Sequence, residues 1–418
     1  MRPTVLTSAG KEALRKTVRG LRGRLIDELT EAVRGEYRLD VAFEKAKLPE
    51  ARRCRRERLE AWLDEQARAA GANGAPVSAK GRGKSKPNAT KAAKARGTGE
   101  NGGATRQRFL AEAAKEAAHT LLNRLVFLRI LEHHEVFLPA VVTGGWHSPA
   151  YEQEFVHYAG PLGTDDTRGY AALLEAVYAE LALELPGLFG KVGLTALFPV
   201  PAATLRAVVE ALNDPALDSA WGDDTTLGWV YQYWNDPERE QLDAKIAGGG
   251  KIEPHEIASK TQMFTERYMV EWLLQNSLGL TWLALCKKHG WTPAAEAVLA
   301  ALEARRAEWR AKREAGDVSL EALMPVEPGL ESAWKYYVPQ PIPDDAVEKV
   351  PGSIRELKLL DPACGSGHFL VIAFDLLARL YAEEAQHRGE AWSPEAIAES
   401  ILAQNLHGID IDPRAIQI

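Results

Sequence analysis

Apolar residues recur early in the chain at three- and four-residue steps. Leu14, Val18, Leu21 and Leu25 fall on one helical face. Around 50–68, Arg52, Arg53, Arg55, Arg56 and Arg58 precede Leu59, Trp62 and Leu63, which predicts a basic helix packed through a narrow stripe. The pattern lapses over 71–104, a Gly/Ala/Lys-rich stretch with almost no apolar side chains, and predicts a disordered basic linker. It resumes near Arg106. Leu110, Ala114, Ala117, Leu121, Leu125, Leu128 and Leu131 mark a strongly amphipathic helix. Residues 170–250 read as mostly helical, with breaks at Pro186-Gly187, Pro199 and Pro201. Residues 293–315 form a highly charged helix with a solvated surface, and a proline-rich crossing, Val338–Pro343, follows.

The last 65 residues change period. Leu357–Asp361 reads as a short strand, Pro362–Gly367 as a tight loop, and His368 to about Ala385 as an apolar helix. Ser393-Pro394 opens another helix, with Ser as N-cap and Pro in the first turn. Leu406–Asp410 is a second strand, and Asp412-Pro413 starts a further helix. This β-loop-α-α-β-α order is the opening of a doubly wound sheet, so the fold class is α/β with a largely helical N-terminal region.

Charge divides the chain. The first 100 residues carry a balance of +11 and the remainder −18, for a net −7. A basic front suits a polyanion such as double-stranded DNA. The linker, without an acid from Gln66 to Gly99, reads equally as a plain tether or as a non-specific DNA-binding arm. Cys54, Cys286 and Cys364 stand far apart, which excludes a disulfide framework and a zinc knuckle. No signal-like apolar run opens the chain and no membrane-length apolar stretch occurs, so a cytoplasmic location is expected.

The string Leu359-Leu-Asp-Pro-Ala-Cys-Gly-Ser-Gly-His-Phe-Leu370 carries the chemistry. Its small residues let backbone approach a ligand, and the next helix offers N-terminal amides. Asp361 can take a cationic amino group, and Asp410, at the next strand end, can accept ribose hydroxyls. Together they suit a nucleoside joined to an amino-acid tail. A nicotinamide dinucleotide fits less well, because the third glycine is lacking and the second acid comes too late. A Walker loop is excluded, because no Gly-Lys-Ser/Thr follows.

Leu227–Trp234 reads as a buried aromatic face, with base stacking the lesser alternative. The adjacent His133 and His134 point about 100° apart on a helix and cannot easily share an ion, so no metal site is expected. Asp40 and Glu44 lack the lysine of a nuclease acid pair, since Ala46 takes its place. Cys364 reads as a small residue in a tight turn rather than a nucleophile.

The string resembles the S-adenosylmethionine loop of the adenine-N6 DNA methyltransferases. Thr261–Leu274 is similar to that family's helix-opening motif, with Glu266 where proline is usual, and Leu406–Pro413 to the next motif. Leu121–Glu132 and Leu227–Trp234 resemble the PglX-type methyltransferases of BREX phage-defence systems, with DISARM and fused restriction-modification enzymes close rivals. The resemblance implies S-adenosylmethionine as cofactor, bound by Asp361, Ala363, Gly365, Gly367 and Asp410, with Thr265 at the methionine carboxylate. It implies methyl transfer to adenine N6 in double-stranded DNA, with other proteins of a defence system as partners.

The family's Asn-Pro-Pro-Tyr-type catalytic loop is absent, and no Pro-Pro pair occurs in the chain. No catalytic residue is therefore expected here, and the chain reads as the N-terminal part of a larger enzyme. The expected organisation is a basic helical segment 1–70, a linker 71–104, a helical domain 105–254, and the incomplete start of a Rossmann-like class I methyltransferase sheet at 255–418. A non-enzymatic DNA-binding or complex-assembly fragment remains the alternative.

Overall fold

The structure, a computed structural model, describes residues 6–73, 99–159, 163–253, 256–261, 265–319 and 322–417. Most of the expected linker, 74–98, lies outside the described residues, as do 262–264 of the Thr261–Leu274 stretch. Two compact units result, Met1–Gly250 and Lys251–Ile416.

The first unit is helical. Helix α1 (Ser8–Tyr37) starts at Thr7, whose hydroxyl accepts the Gly10 amide at 3.0 Å. It buries Leu14, Val18, Leu21, Leu25, Leu29, Val33 and Tyr37, extending the stripe read from sequence by three further turns. Helix α2 (Glu50–Asn73) and helix α3 (Gly99–His133) both pack on it and on each other. These helices extend into both ends of the expected linker, so 71–73 and 99–104 are helical rather than disordered. Adding a residue to a helix already nucleated is easier than starting one. Segments 1–70 and most of 105–254 thus share one unit.

Two segments bury more than the apolar pattern alone implies. Arg56, inside the basic run, is buried, 2% exposed. Its guanidinium donates to the carbonyls of Tyr37, Arg38 and Val41 and to Glu60, satisfying the end of α1. Helix α3 is not simply amphipathic. Its second half is buried almost all round, including His119, Thr120, Asn123, Arg129 and Glu132, because neighbours cover it on several sides. Helix α4 (Tyr170–Leu181), α5 (Ala202–Leu212) and α6 (Thr226–Ala247) complete the unit. Pro186 does not merely break a helix, since it stands at the first position of a short turn, Pro186–Phe189. In α6, Trp229, Val230, Tyr231, Tyr233 and Trp234 are all buried, so the aromatic segment is core.

The second unit is α/β. Helix α7 (Arg267–His289) and α8 (Glu296–Ala315) precede strand β1 (Leu359–Asp361). Helix α9 (His368–Arg388), α10 (Pro394–Ser400), strand β2 (Leu406–Gly408) and α11 (Pro413–Ile416) follow. The strands pair in parallel, Leu359 to Leu406, Leu360 to His407 and Asp361 to Gly408. Trp282, Leu285 and Leu278 of α7 share a core with Ile372, Leu376 and Leu380 of α9. Each such side chain contributes roughly 1.5–3 kcal/mol.

Both strands are shorter than the sequence suggested. The Leu357 carbonyl is taken by the Asn405 side chain at 2.8 Å, and past Gly408 the Ile409 carbonyl accepts from the loop's Cys364 amide. Among the described residues, no helix is long and apolar enough to cross a membrane.

Candidate functional site

The candidate site is the turn between β1 and α9. Two buried polar residues aim the strands that frame it. Glu384 of α9, fully buried, accepts from the Ser353 hydroxyl at 2.9 Å and the Ile354 amide at 3.2 Å, and Arg388 neutralises its other oxygen. Asn405 donates to the carbonyls of Ile354 and Leu357 and accepts from the Tyr381 hydroxyl. The backbone entering β1 is thereby fixed against the backbone entering β2.

The loop is then closed across the two strands. The Ile409 amide donates to the Asp361 carbonyl, and the Cys364 amide donates to the Ile409 carbonyl, each at 3.0 Å. Asp410 does the rest. One oxygen accepts the Gly365 amide at 2.8 Å and the other accepts the Asp412 amide at 2.8 Å. Asp361 holds the Ala363 amide at 3.1 Å through one oxygen. Its second oxygen has no hydrogen-bond partner among the described residues.

Gly365 and Gly367 have φ of +54° and +79°, the left-handed region that disfavours a side chain. A Cβ at either would point into open space, so the loop's backbone is open to a ligand. Gly408 is constrained differently. A Cβ there would lie 2.9 Å from Cys364 Sγ and from Leu370 Cδ1, so a larger residue would force those side chains to shift. The Cys364 thiol is pushed up from its ordinary value by burial, then by Asp410 and Asp361. It packs in the turn and is held away from the reactive thiolate form.

Five of the six sequence-derived residues, Asp361, Ala363, Gly365, Gly367 and Asp410, are joined in this one turn. Thr265 is exposed just ahead of α7 and makes no hydrogen bond to them. Arg267, two residues on, reaches Asp375 on the second turn of α9 at 3.5 Å, so the start of α7 runs beside the start of α9. Asp412 accepts the Arg414 amide at 3.0 Å, the geometry of a helix N-cap. Glu384, Asn405 and Gly408 escaped the sequence reading. Only the glycine left a signal, as a small residue inside an apolar strand.

Comparison with known proteins places this turn in context. Residues 342–418 match the family model of the MmeI DNA-methyltransferase domain. The adenine-specific methyltransferase PglX of Lacticaseibacillus casei (strain Zhang) is 26% identical over 341 residues, covering 74% of this chain and 25% of that protein. The adenine-specific methyltransferase BrxX of Escherichia coli O9:H4 (strain HS) is 28% identical over 261 residues, covering 58% of this chain and 18% of its own. The resemblance to PglX-like adenine-specific methyltransferases holds. A PglX of Streptomyces coelicolor adds 41% identity over 64 residues, 15% of this chain and 5% of that protein. The chain spans about a quarter of the first relative's length.

Proposed function

We propose that this chain supplies the methyl-donor part of an adenine-specific DNA methyltransferase, with S-adenosylmethionine seated over the turn between β1 and α9. The observation that carries the reading is the Asp410-closed loop. Gly365 and Gly367 leave its backbone open, and an acid stands on either side. When bound, the cofactor's sulfonium presents an electrophilic methyl group.

The residues present suit that cofactor. Asp361, with one oxygen uncommitted, takes the cationic amino group. Asp410 has both oxygens engaged by amides, yet each keeps a second lone pair for a ribose hydroxyl. Ala363, Gly365 and Gly367 let the ligand approach the loop backbone, and Thr265 closes the methionine end. The parallel β1–α9–α10–β2 unit supports a Rossmann-like sheet. Adenine N6 in double-stranded DNA is the methyl acceptor, and the names PglX and BrxX of the relatives support a place in phage defence.

Equilibrium dialysis with S-adenosylmethionine tests this. Asp361→Ala is expected to abolish binding while the circular-dichroism spectrum is unchanged. Undiminished binding by that variant overturns the assignment. The alternative is a non-enzymatic DNA-binding or assembly fragment, which would use the basic front and the helical body. It predicts DNA binding with no S-adenosylmethionine binding by the unaltered chain.

A further inference from the structure

We propose that Cys286, Glu383 and His387 form a binding site for one Zn²⁺-class metal ion, clamping the end of α7 to the end of α9. Glu383 and His387 lie four residues apart, on one face of α9, and Cys286 lies in the last turn of α7. The three candidate ligand atoms, a sulfur, a ring nitrogen and a carboxylate oxygen, all lie within 4.8 Å of one another. No spacing motif marks this trio, because the cysteine is about a hundred positions from the other two.

Burial and orientation argue for a built site. Cys286 is fully buried. His387 Nε2 is shielded from solvent and makes no hydrogen bond, at 3.8 Å from Glu383 Oε1. A buried ring nitrogen without a partner is costly unless something binds it. The His387 ring is also held in place. It stacks on Trp291 with centroids 5.1 Å apart and planes 4° apart, and Trp291 stacks with His289 as well. Glu383 is oriented by the Ala294 amide, which donates to Oε1 at 2.7 Å. Such outer contacts fix ligands in metal sites.

A metal ion binding here would take the place of the Cys286 thiol proton. The nearby cations are occupied: Arg388 by Glu384, Lys287 by Asp344, Lys288 by the Val350 carbonyl. A mixed sulfur, nitrogen and oxygen set suits zinc and not magnesium or calcium, which take oxygen. Metal–ligand bonds of about 2.0–2.3 Å require the ligand atoms to draw in by roughly 1 Å, a side-chain adjustment.

The test uses the whole 418-residue chain, stripped with chelator and titrated with Co²⁺ alone. The expected result is about one equivalent bound, with a thiolate-to-cobalt charge-transfer band that Zn²⁺ displaces. Cys286→Ser should remove the band and His387→Gln should weaken binding at least tenfold, while Cys54→Ser and Cys364→Ser leave both unchanged. Should Cys286→Ser unfold, protection of the Cys286 thiol from alkylation by added Zn²⁺ in the unaltered chain gives the same answer. Less than about a tenth of an equivalent bound, a band that survives in Cys286→Ser, or alkylation indifferent to Zn²⁺ overturns the proposal. The outcome does not depend on S-adenosylmethionine binding, which is measured separately at the turn between β1 and α9.

Discussion

Arg56 and Glu132 show how far a charged residue's role depends on its neighbours. Arg56 stands among exposed arginines, yet it is in phase with buried Leu59 and Leu63 and closes the end of α1. Glu132, next to the two histidines that first suggested a metal, accepts three successive amides, from Val141, Val142 and Thr143, at 2.7–2.8 Å. Arg56→Ala and Glu132→Ala should each cost about 3 kcal/mol, since either leaves several buried groups unsatisfied. Arg55→Ala, at an exposed position, should stay within about 0.5 kcal/mol. Urea denaturation midpoints check both statements. The turn's place between a strand and a helix was legible in sequence because its small residues interrupt the apolar pattern. The buried charges were not, because a one-dimensional pattern assigns charge to solvent.

At the level of the element, the β1–α9 turn depends on a strand that contributes no side chain to its mouth. Gly408→Ala should push Cys364 and Leu370 away and lower S-adenosylmethionine affinity at least tenfold, although residue 408 faces no ligand. Dialysis against the unaltered chain measures it, and an unchanged affinity would show that the loop can yield. A second turn makes a pH prediction. Asp165 accepts the Thr167 hydroxyl and the Gly169 amide, each at 2.6 Å, and these hold its carboxyl below the usual range. A depressed carboxylate stabilises the fold above its unfolded value of about 3.9 and loses that contribution as pH falls through the folded value. The Gly169 amide resonance should therefore titrate with a midpoint below about 3.9. The sequence located the strands but overran them, because strand ends are set by partners such as Asn405 and Ile409 rather than by hydrophobicity.

For the whole molecule, two compact units predict two thermal transitions, with S-adenosylmethionine raising only that of Lys251–Ile416. At a hundredfold excess over Kd the gain is roughly 2.7 kcal/mol. Differential scanning calorimetry reads both, and a rise in both transitions would contradict the assignment. Residues 1–418 alone should show no methyl transfer to DNA in a tritium-transfer assay, since the expected catalytic tetrapeptide is not among them. The contrast between a basic front and an acidic remainder was visible at once. The burial of α3 was not, because it needs the partners to be placed. Asp410, two residues past β2, ties Gly365 to a segment 45 positions later, so the shape of the loop and the pairing of β1 with β2 are linked. By reciprocity, a nucleoside seated in the turn as proposed would also tighten the strand pair, a rivet for the sheet.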